Sequence, residues 1–500
     1  MRNITFLDTT LRDGEQAAGF ALPLPGRILM AEKLAESGID ILEAGFPLSS
    51  PAEYRSCAEI VSVLAGTSTK LSLMTRGRAE EIRDTAALLK KGNSLLHISF
   101  PVSFEHIRNK LNLRPGKLLE QTSTLVTYAA GLVPMIECGA EDATRADFDF
   151  LCDYCETVIA AGARVVNIAD TLGVSTPEQI FELVSNLMKR VGKFADGTAR
   201  LSIHCHNDHG LAVAGTLAAV RAGATQVEST LCGIGDRAGN AAEEVVLANL
   251  AAHPELYRGK SKISLERLLE CALHFCRLSG YPPPAGHPFL GNRIHAHASG
   301  IHQDGIRKSR ATYNEEFGAS RLVPERIVLS RHSGKSGVIL LAESCHLPID
   351  PRAATRILGE LKARNSSSLG FTEFLRLYYK NSGPRPFPNT LYDIKDVFGS
   401  FEDHHCNVTV LRTNGESFPG KGSDMLSAVL DAIVRMSGLN IIARRVEMRM
   451  MDCTYRCYME VFVEWEPPFA VERIGTEPAH LIAQCLLDAL NFHLIKEQYA

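Results

Sequence analysis

Val165-Val166-Asn167-Ile168-Ala169-Asp170, then Pro177 to Arg190, then Leu201-Ser202-Ile203-His204-Cys205-His206, then Leu211 to Ala222, then Gln226 to Cys232: on this stretch the fold turns. Three short β-branched or apolar runs alternate with two runs of helical length, and strand, helix, strand is the unit of a parallel sheet. The alternation extends back to the start of the chain. Ile4 to Asp8, Ile41 to Phe46, Lys70 to Thr75, Leu95 to Phe100 and Val133 to Cys138 read as further strands, with Arg27 to Ser37 and Arg78 to Lys91 among the helices. Several helices close on a glycine, as at Gly38, Gly92 and Gly223. Eight such units in roughly 250 residues predict a closed TIM (β/α)8 barrel rather than an open doubly wound sheet, with reacting groups at the C-terminal strand ends.

Beyond Tyr281 the pattern breaks at Pro282-Pro283-Pro284-Ala285-Gly286, and the region to about Phe398 reads as short helices and loops. From about Glu402, strand-like runs at Asn407 to Leu411, Arg445 to Met450 and Cys457 to Trp465, with helices around Leu426 to Met436 and Ala479 to Phe492, predict a small α+β domain. The expected division is therefore a catalytic barrel over 1–280, helical linker subdomains over 281–398 that complete the active site, and a regulatory or dimerisation domain over 399–500. Gly420-Lys421-Gly422 and Ile474-Gly475-Thr476 each precede one of the last helices, which indicates a weak internal duplication. A glycine turn before a helix can bind a carboxylate on free N–H groups, although plain turn chemistry accounts for it equally.

The 500 residues are 45% hydrophobic and 22% charged, enough to bury more than one core. A net charge of −4 and a pI near 6.5 give no general attraction for nucleic acid or anionic membrane, so neither is expected as a partner. No run stays apolar for the roughly 18 residues of a membrane span, and Met1-Arg2-Asn3 leads straight into the first strand, so a cytoplasmic location is expected. The 13 cysteines are scattered; Cys152/Cys155 and Cys453/Cys457 lack a second pair at zinc-site spacing and read as reduced thiols.

In His204-Cys205-His206 the two-residue period of a strand puts both imidazoles on one side at the strand's end, a geometry suited to a divalent metal. Alone, such a pair is as readily a satisfied core feature. The first strand adds weight, because Asp8-Thr9-Thr10-Leu11-Arg12-Asp13-Gly14-Glu15-Gln16 gathers carboxylates, hydroxyls and a guanidinium at its end, and strands one and seven are near neighbours in a closed barrel. Asp13 then supplies a hard oxygen beside the imidazoles, a mixed set suited to manganese, zinc or magnesium. Arg12 lies alongside as a fixed cation for a developing oxyanion. The loop Gly233-Ile234-Gly235-Asp236-Arg237-Ala238-Gly239-Asn240 returns to the same rim and offers Asn240 as a further oxygen. Ser333-Gly334-Lys335-Ser336 is not a nucleotide loop, since Leu329 stands where the motif needs glycine. Arg307-Lys308-Ser309-Arg310 faces coenzyme A phosphates in one reading and plain solvent in the other.

Taken in order, the first-strand motif, His204-Cys205-His206-Asn207-Asp208, Gly235 to Asn240, Ser299-Gly300-Ile301-His302-Gln303-Asp304-Gly305 and Arg331-His332-Ser333-Gly334 resemble the family of 2-isopropylmalate, homocitrate and citramalate synthases over about 340 residues. The resemblance implies a Claisen condensation of acetyl-CoA with a 2-oxo acid, followed by thioester hydrolysis. It implies a divalent metal on Asp13, His204, His206 and Asn240, chelated by the 2-oxo acid and polarising its carbonyl. Arg12 stabilises the alkoxide in that scheme, Arg12, His97, Thr171 and Asn167 contact the substrate, and Glu141 with His302 handles the acetyl proton, His302 reaching the rim from the linker or from a partner subunit. A homodimer is expected, with leucine as an effector of the C-terminal domain.

Gln303, Glu43-Ala44-Gly45-Phe46-Pro47 with Ser49-Ser50-Pro51, and the C-terminal domain are similar to the 2-isopropylmalate branch, which takes 2-oxoisovalerate for leucine biosynthesis. Ala17-Ala18-Gly19, Ser99-Phe100-Pro101 and Glu141 to Asp147 are more similar to homocitrate synthases, which take 2-oxoglutarate. Asp236 replaces the family's usual glutamate, and Gly422-Ser423-Asp424-Met425 replaces a proline-containing turn. Two other classes stay open: a lyase on the same barrel, against which Cys232 lacks the glycine-rich pattern, and a non-catalytic metal or amino-acid sensor.

Overall fold

The computed structural model describes residues 1–500 except 90–93, 282, 292, 295, 314–325, 345–346, 364–368, 370, 383–391, 393, 403–404, 452–453, 465–468, 476 and 500. Met1–Ala296 form one compact unit; His297–Tyr313 and Ile327–Ala500 belong to a second. In the first, β1 (Thr5–Asp8), β2 (Ile41–Glu43), β3 (Lys70–Arg76), β4 (Ser94–Pro101), β5 (Ile136–Glu141), β6 (Val165–Asp170), β7 (Arg200–Cys205) and β8 (Gln226–Ser229) close a parallel barrel in chain order. Closure runs through Thr5 to Asp8 against Gln226 to Ser229. The chain is thus a TIM barrel followed in sequence by further small sheets.

Helices start where the local chemistry provides a cap. Thr176 and Gln179 close a capping box ahead of Pro177–Arg190, and Ser50 caps Pro51–Val63. Leu24–Ser37, Ala79–Leu88 and Ala212–Ala222 stand where helices were expected, within a few residues; Lys91 lies outside the described residues. Among the described residues no helix is long and apolar enough to cross a membrane.

Strand five departs from expectation. Pro134 has no N–H to give a ladder, so pairing begins at Ile136 rather than Val133 and runs on to Glu141. Glu141 therefore ends the strand instead of following it. The eighth strand stops at Ser229, because Thr230 turns its hydroxyl onto the Ile234 carbonyl at 2.6 Å and the chain enters the Asn240 loop.

Within the barrel the inward positions change character along the strands. Leu7, Ile41, Leu95 and Val165 form an apolar layer with Met135 packed against it. Two residues further along, Glu43, His97, Glu137 and Asn167 stand buried at the next level, joined from β8 by Glu228.

In the second unit, helices Gly300–Lys308, Lys335–Ser344, Pro351–Ala363 and Phe371–Ser382 precede two three-stranded antiparallel sheets. β9 (Asp396–Glu402), β10 (His405–Leu411) and β11 (Ser417–Gly422) lead into helix Met425–Ser437. β12 (Ile441–Met451), β13 (Thr454–Val463) and β14 (Phe469–Gly475) lead into Pro478–Tyr499. The two halves share one apolar core, so a duplicated strands-then-helix unit is what the chain builds. Gly420 and Gly422 lie in β11 rather than in a turn: a Cβ at 420 would stand 2.1 Å from the Ala428 carbonyl, so glycine lets the helix press onto the sheet. Thr476 and Trp465 lie outside the described residues.

Candidate metal centre and active site

β1 ends in a tight turn in which the backbone N–H groups of Arg12, Asp13 and Gly14 all donate to the Thr9 carbonyl. This swings Arg12 and Asp13 inward over the barrel mouth, both buried. Arg12 Nε donates to Glu43 Oε2 and Nη1 to Asp13 Oδ2, each at 2.5 Å. From β7 and the residue after it, His204 and His206 project to the same point: their Nε2 atoms are 3.2 Å apart, and His204 Nε2 is 3.7 Å from Asp13 Oδ2. Asp13, His204 and His206 offer three ligand atoms all within 4.8 Å of one another.

Asn240 joins them from the loop after β8. A short bridge pairs its backbone with His206, and its Nδ2 donates to Asp13 Oδ1 at 2.8 Å. The loop's glycines make this approach possible. A Cβ at Gly235 would lie 2.3 Å from Asn240 Nδ2, and at Gly239, where φ is +91°, 2.0 Å from the Gly233 carbonyl. Their spacing serves backbone approach to Asn240.

Burial pushes the Asp13 carboxyl up, but Arg12, His204, His206 and the Asn240 amide hold it well below the ordinary range. Burial, reinforced by His204, brings His206 down to about 4, so it is neutral at pH 7. Burial lowers His204 too, yet Glu228 and Asp13 outweigh it and leave its pKa raised. The spare atoms suit a divalent cation. Asn240 Oδ1 is buried with no hydrogen-bond partner, the two imidazole Nε2 atoms converge to 3.2 Å, and Asp13 is ionised. Oxygen and imidazole donors together are the set that manganese, zinc or magnesium accept.

Beneath lies a buried polar layer. His97 Nδ1 sits 2.8 Å from Glu43 Oε1, and Arg12 and His97 overcome burial to hold Glu43 down to about 2. Asn167 gives its amide N–H to Glu228. On the opposite sector of the rim, Glu141 accepts from Lys110 at 2.8 Å through both oxygens and stands 3.1 Å from His106 Nδ1. Thr171 Oγ1 accepts the Asp142 N–H at 2.8 Å, which leaves its own O–H to donate. Arg237, at φ +54°, ties three rim loops together through Asp208, Asp236 and the Thr171 carbonyl.

His302 belongs to the second unit, where it is exposed on helix Gly300–Lys308 and stacks on Tyr313 with ring centroids 4.2 Å apart. Gln303 beside it is buried and donates to the His297 and Val328 carbonyls. Glu43, Glu228, His106, Lys110, Arg237 and Tyr313 were given no role from the sequence. For Glu43 a signal existed, since it puts a carboxylate into a short, otherwise apolar strand; for the others only their packing reveals them.

Residues 3–273 match the HMGL-like family, and residues 289–368 match the family described as Homocitrate synthase post-HMGL domain-like. A 2-isopropylmalate synthase from Pyrococcus furiosus is 37% identical over 74% of this chain and 74% of its own. One from Shouchella clausii is 31% identical over 100% of this chain and 98% of its own, and one from Rhodopirellula baltica 30% identical over 98% and 94%.

Proposed function

Because the chain belongs to the HMGL-like family and to the 2-isopropylmalate synthases, we propose that its barrel mouth condenses acetyl-CoA with 2-oxoisovalerate and hydrolyses the thioester, a step of leucine biosynthesis. The observation that carries this reading is the convergence of buried Asp13, His204 and His206 with the unpartnered Asn240 Oδ1. These four would hold a divalent cation, manganese being our choice, and when bound it supplies Lewis-acid polarisation of the 2-oxo acid's carbonyl.

The chain's own residues then divide the work. Arg12 spends Nε and Nη1 on Glu43 and Asp13, which fixes its plane and leaves Nη2 to face the oxygen that gains charge as the carbon–carbon bond forms. Thr171 donates its hydroxyl to the substrate carboxylate, and His97, steadied by Glu43, lines the pocket beside it. Glu141 takes the proton from the acetyl methyl group. His302 is the second proton-transfer group, supplied within a homodimer, and water then cleaves the thioester to release coenzyme A. We keep the three-part division at 280 and 398, and a cytoplasmic setting, as part of this proposal.

The charge pattern favours an uncharged substrate side chain. Arg12, Arg76, Lys110, Arg145 and Arg237 are each already paired with a carboxylate. A second substrate carboxylate, as in 2-oxoglutarate, meets no cation among them that is not already neutralised by a carboxylate. Leucine control through the start of helix Met425–Ser437 is disfavoured, because Asp424 caps that helix with its own carboxylate. The test is coenzyme A release by manganese-loaded protein with 2-oxoisovalerate, 2-oxoglutarate and pyruvate, each with and without leucine. The highest kcat/KM is expected for 2-oxoisovalerate and background rates for 2-oxoglutarate. No release with any of the three acids would end the synthase reading.

A further inference from the structure

The two imidazoles at the barrel mouth are not equally supported. Both Nδ1 atoms are buried without a hydrogen bond, but among the described residues only that of His204 has a carboxylate within 4.0 Å. His204 Nδ1 stands 3.3 Å from Glu228 Oε2. Glu228 is 1% exposed, and its other oxygen accepts from Asn167 Nδ2 and, at 3.4 Å, from Ser202 Oγ. In the same layer, Glu137 lies beside Glu228 and is gripped by Gln226 Nε2 at 2.9 Å through both oxygens. A carboxylate held from two sides in this way cannot swing aside, and it fixes where the proton of the facing imidazole sits.

We propose that Glu228 is a positioning residue for the cation site: by holding the proton of His204 on Nδ1 it turns the Nε2 lone pair toward Asp13 and His206, and makes His204 the anchoring imidazole of the pair. The role rests on the reading of Asp13, His204, His206 and Asn240 as a cation site. It follows from the general behaviour of imidazole ligands, whose second nitrogen needs a fixed acceptor for the first to bind a metal well, and whose partners influence affinity by about 10- to 100-fold when changed. His206, lacking such an acceptor, would contribute a weaker bond.

Metal-stripped wild-type protein, Glu228→Gln and His204→Ala are titrated with manganese by calorimetry, and the melting temperature of each metal-free protein is recorded. Glu228→Gln should bind manganese about 10- to 100-fold more weakly than wild type while its metal-free melting temperature stays within a few degrees. An unchanged dissociation constant overturns the role of Glu228. If Glu228→Gln fails to fold, Glu228→Asp, which withdraws the carboxylate by one methylene, must show weaker manganese binding, and equal binding rejects the proposal. Wild type that takes up no manganese, or His204→Ala that binds it as wild type does, instead rejects the cation site itself.

Discussion

The lower and middle layers of the barrel interior lie two residues apart on the same strands and are built on opposite principles. Leu7, Ile41, Leu95 and Val165 fill the lower layer with apolar volume; Glu43, His97, Glu137 and Asn167 fill the next with charge and amides. Apolar packing contributes stability without direction, at roughly 25 cal/mol per Å² buried. Buried ionic groups cost desolvation that their pairing only partly offsets, and what they provide is fixed geometry. The barrel thus keeps itself folded from below and spends part of that stability holding Arg12, Asp13 and His204 in place above.

If this division is right, variants in the two layers should fail in different ways. The largest effect belongs to the mouth: His204→Ala should lower turnover at least about a thousandfold, several kcal/mol of transition-state stabilisation. Its metal-free stability should stay within about 2 kcal/mol of wild type. Kinetics with coenzyme A detection and urea denaturation read the two halves of that statement, and near-normal turnover would remove His204 from the site. Leu95→Ala should do the reverse. A fully buried leucine cut to its Cβ costs about 2–5 kcal/mol, visible as a lower denaturation midpoint, while kcat/KM well below that midpoint changes by no more than about threefold. A hundredfold loss of kcat/KM there would mean that the layers are not separable.

Arg237 tests the upper boundary of the comparison, since it touches no cation-site atom yet joins the loops after β6, β7 and β8. Arg237→Ala releases Thr171 and Asp208 from a common anchor, and small displacements of a substrate-facing group cost up to about a hundredfold in rate. The expected result is a fall of about 10- to 100-fold in kcat/KM with little change in melting temperature. Activity equal to wild type would show that the loops hold themselves.

How much of this was legible beforehand differs by layer in the same way. Apolar runs at regular spacing placed the barrel strands to within a few residues, and runs of helical length closing on glycine placed the helices, because those signals are local. His204-Cys205-His206 and Arg12-Asp13 were legible for the same reason: strand period and strand end suffice. What could not be read is what depends on pairing across the barrel. The amide of Asn167 finds Glu228, a partner 61 residues away. The grip of Lys110 and His106 on Glu141 arises from a helix after β4 meeting the end of β5. β5 itself was displaced by three residues because Val133 reads as strand until the missing N–H of Pro134 is counted.

The smallest effect on turnover is expected at Glu137, where the middle layer is most costly and least tied to the mouth. Burial, aggravated by the adjacent Glu228, raises its pKa well above the ordinary value, so the folded protein holds it protonated where the unfolded chain would release it. The folded state then binds more protons than the unfolded state above about pH 4.5, and stability falls as pH rises, at up to about 1.4 kcal/mol per pH unit from this group. Glu137→Gln keeps the shape, accepts from Gln226 through its amide oxygen and donates to Glu228 through its nitrogen, but has no proton to lose. Turnover should change by less than about twofold. Near pH 5 the variant's stability should match wild type within about 1 kcal/mol, and as pH rises toward 8 the variant should become the more stable of the two in urea denaturation. A gap that does not open, or that opens in favour of wild type, would show that Glu137 is ionised in the folded barrel and that the middle layer carries one more negative charge than this account allows.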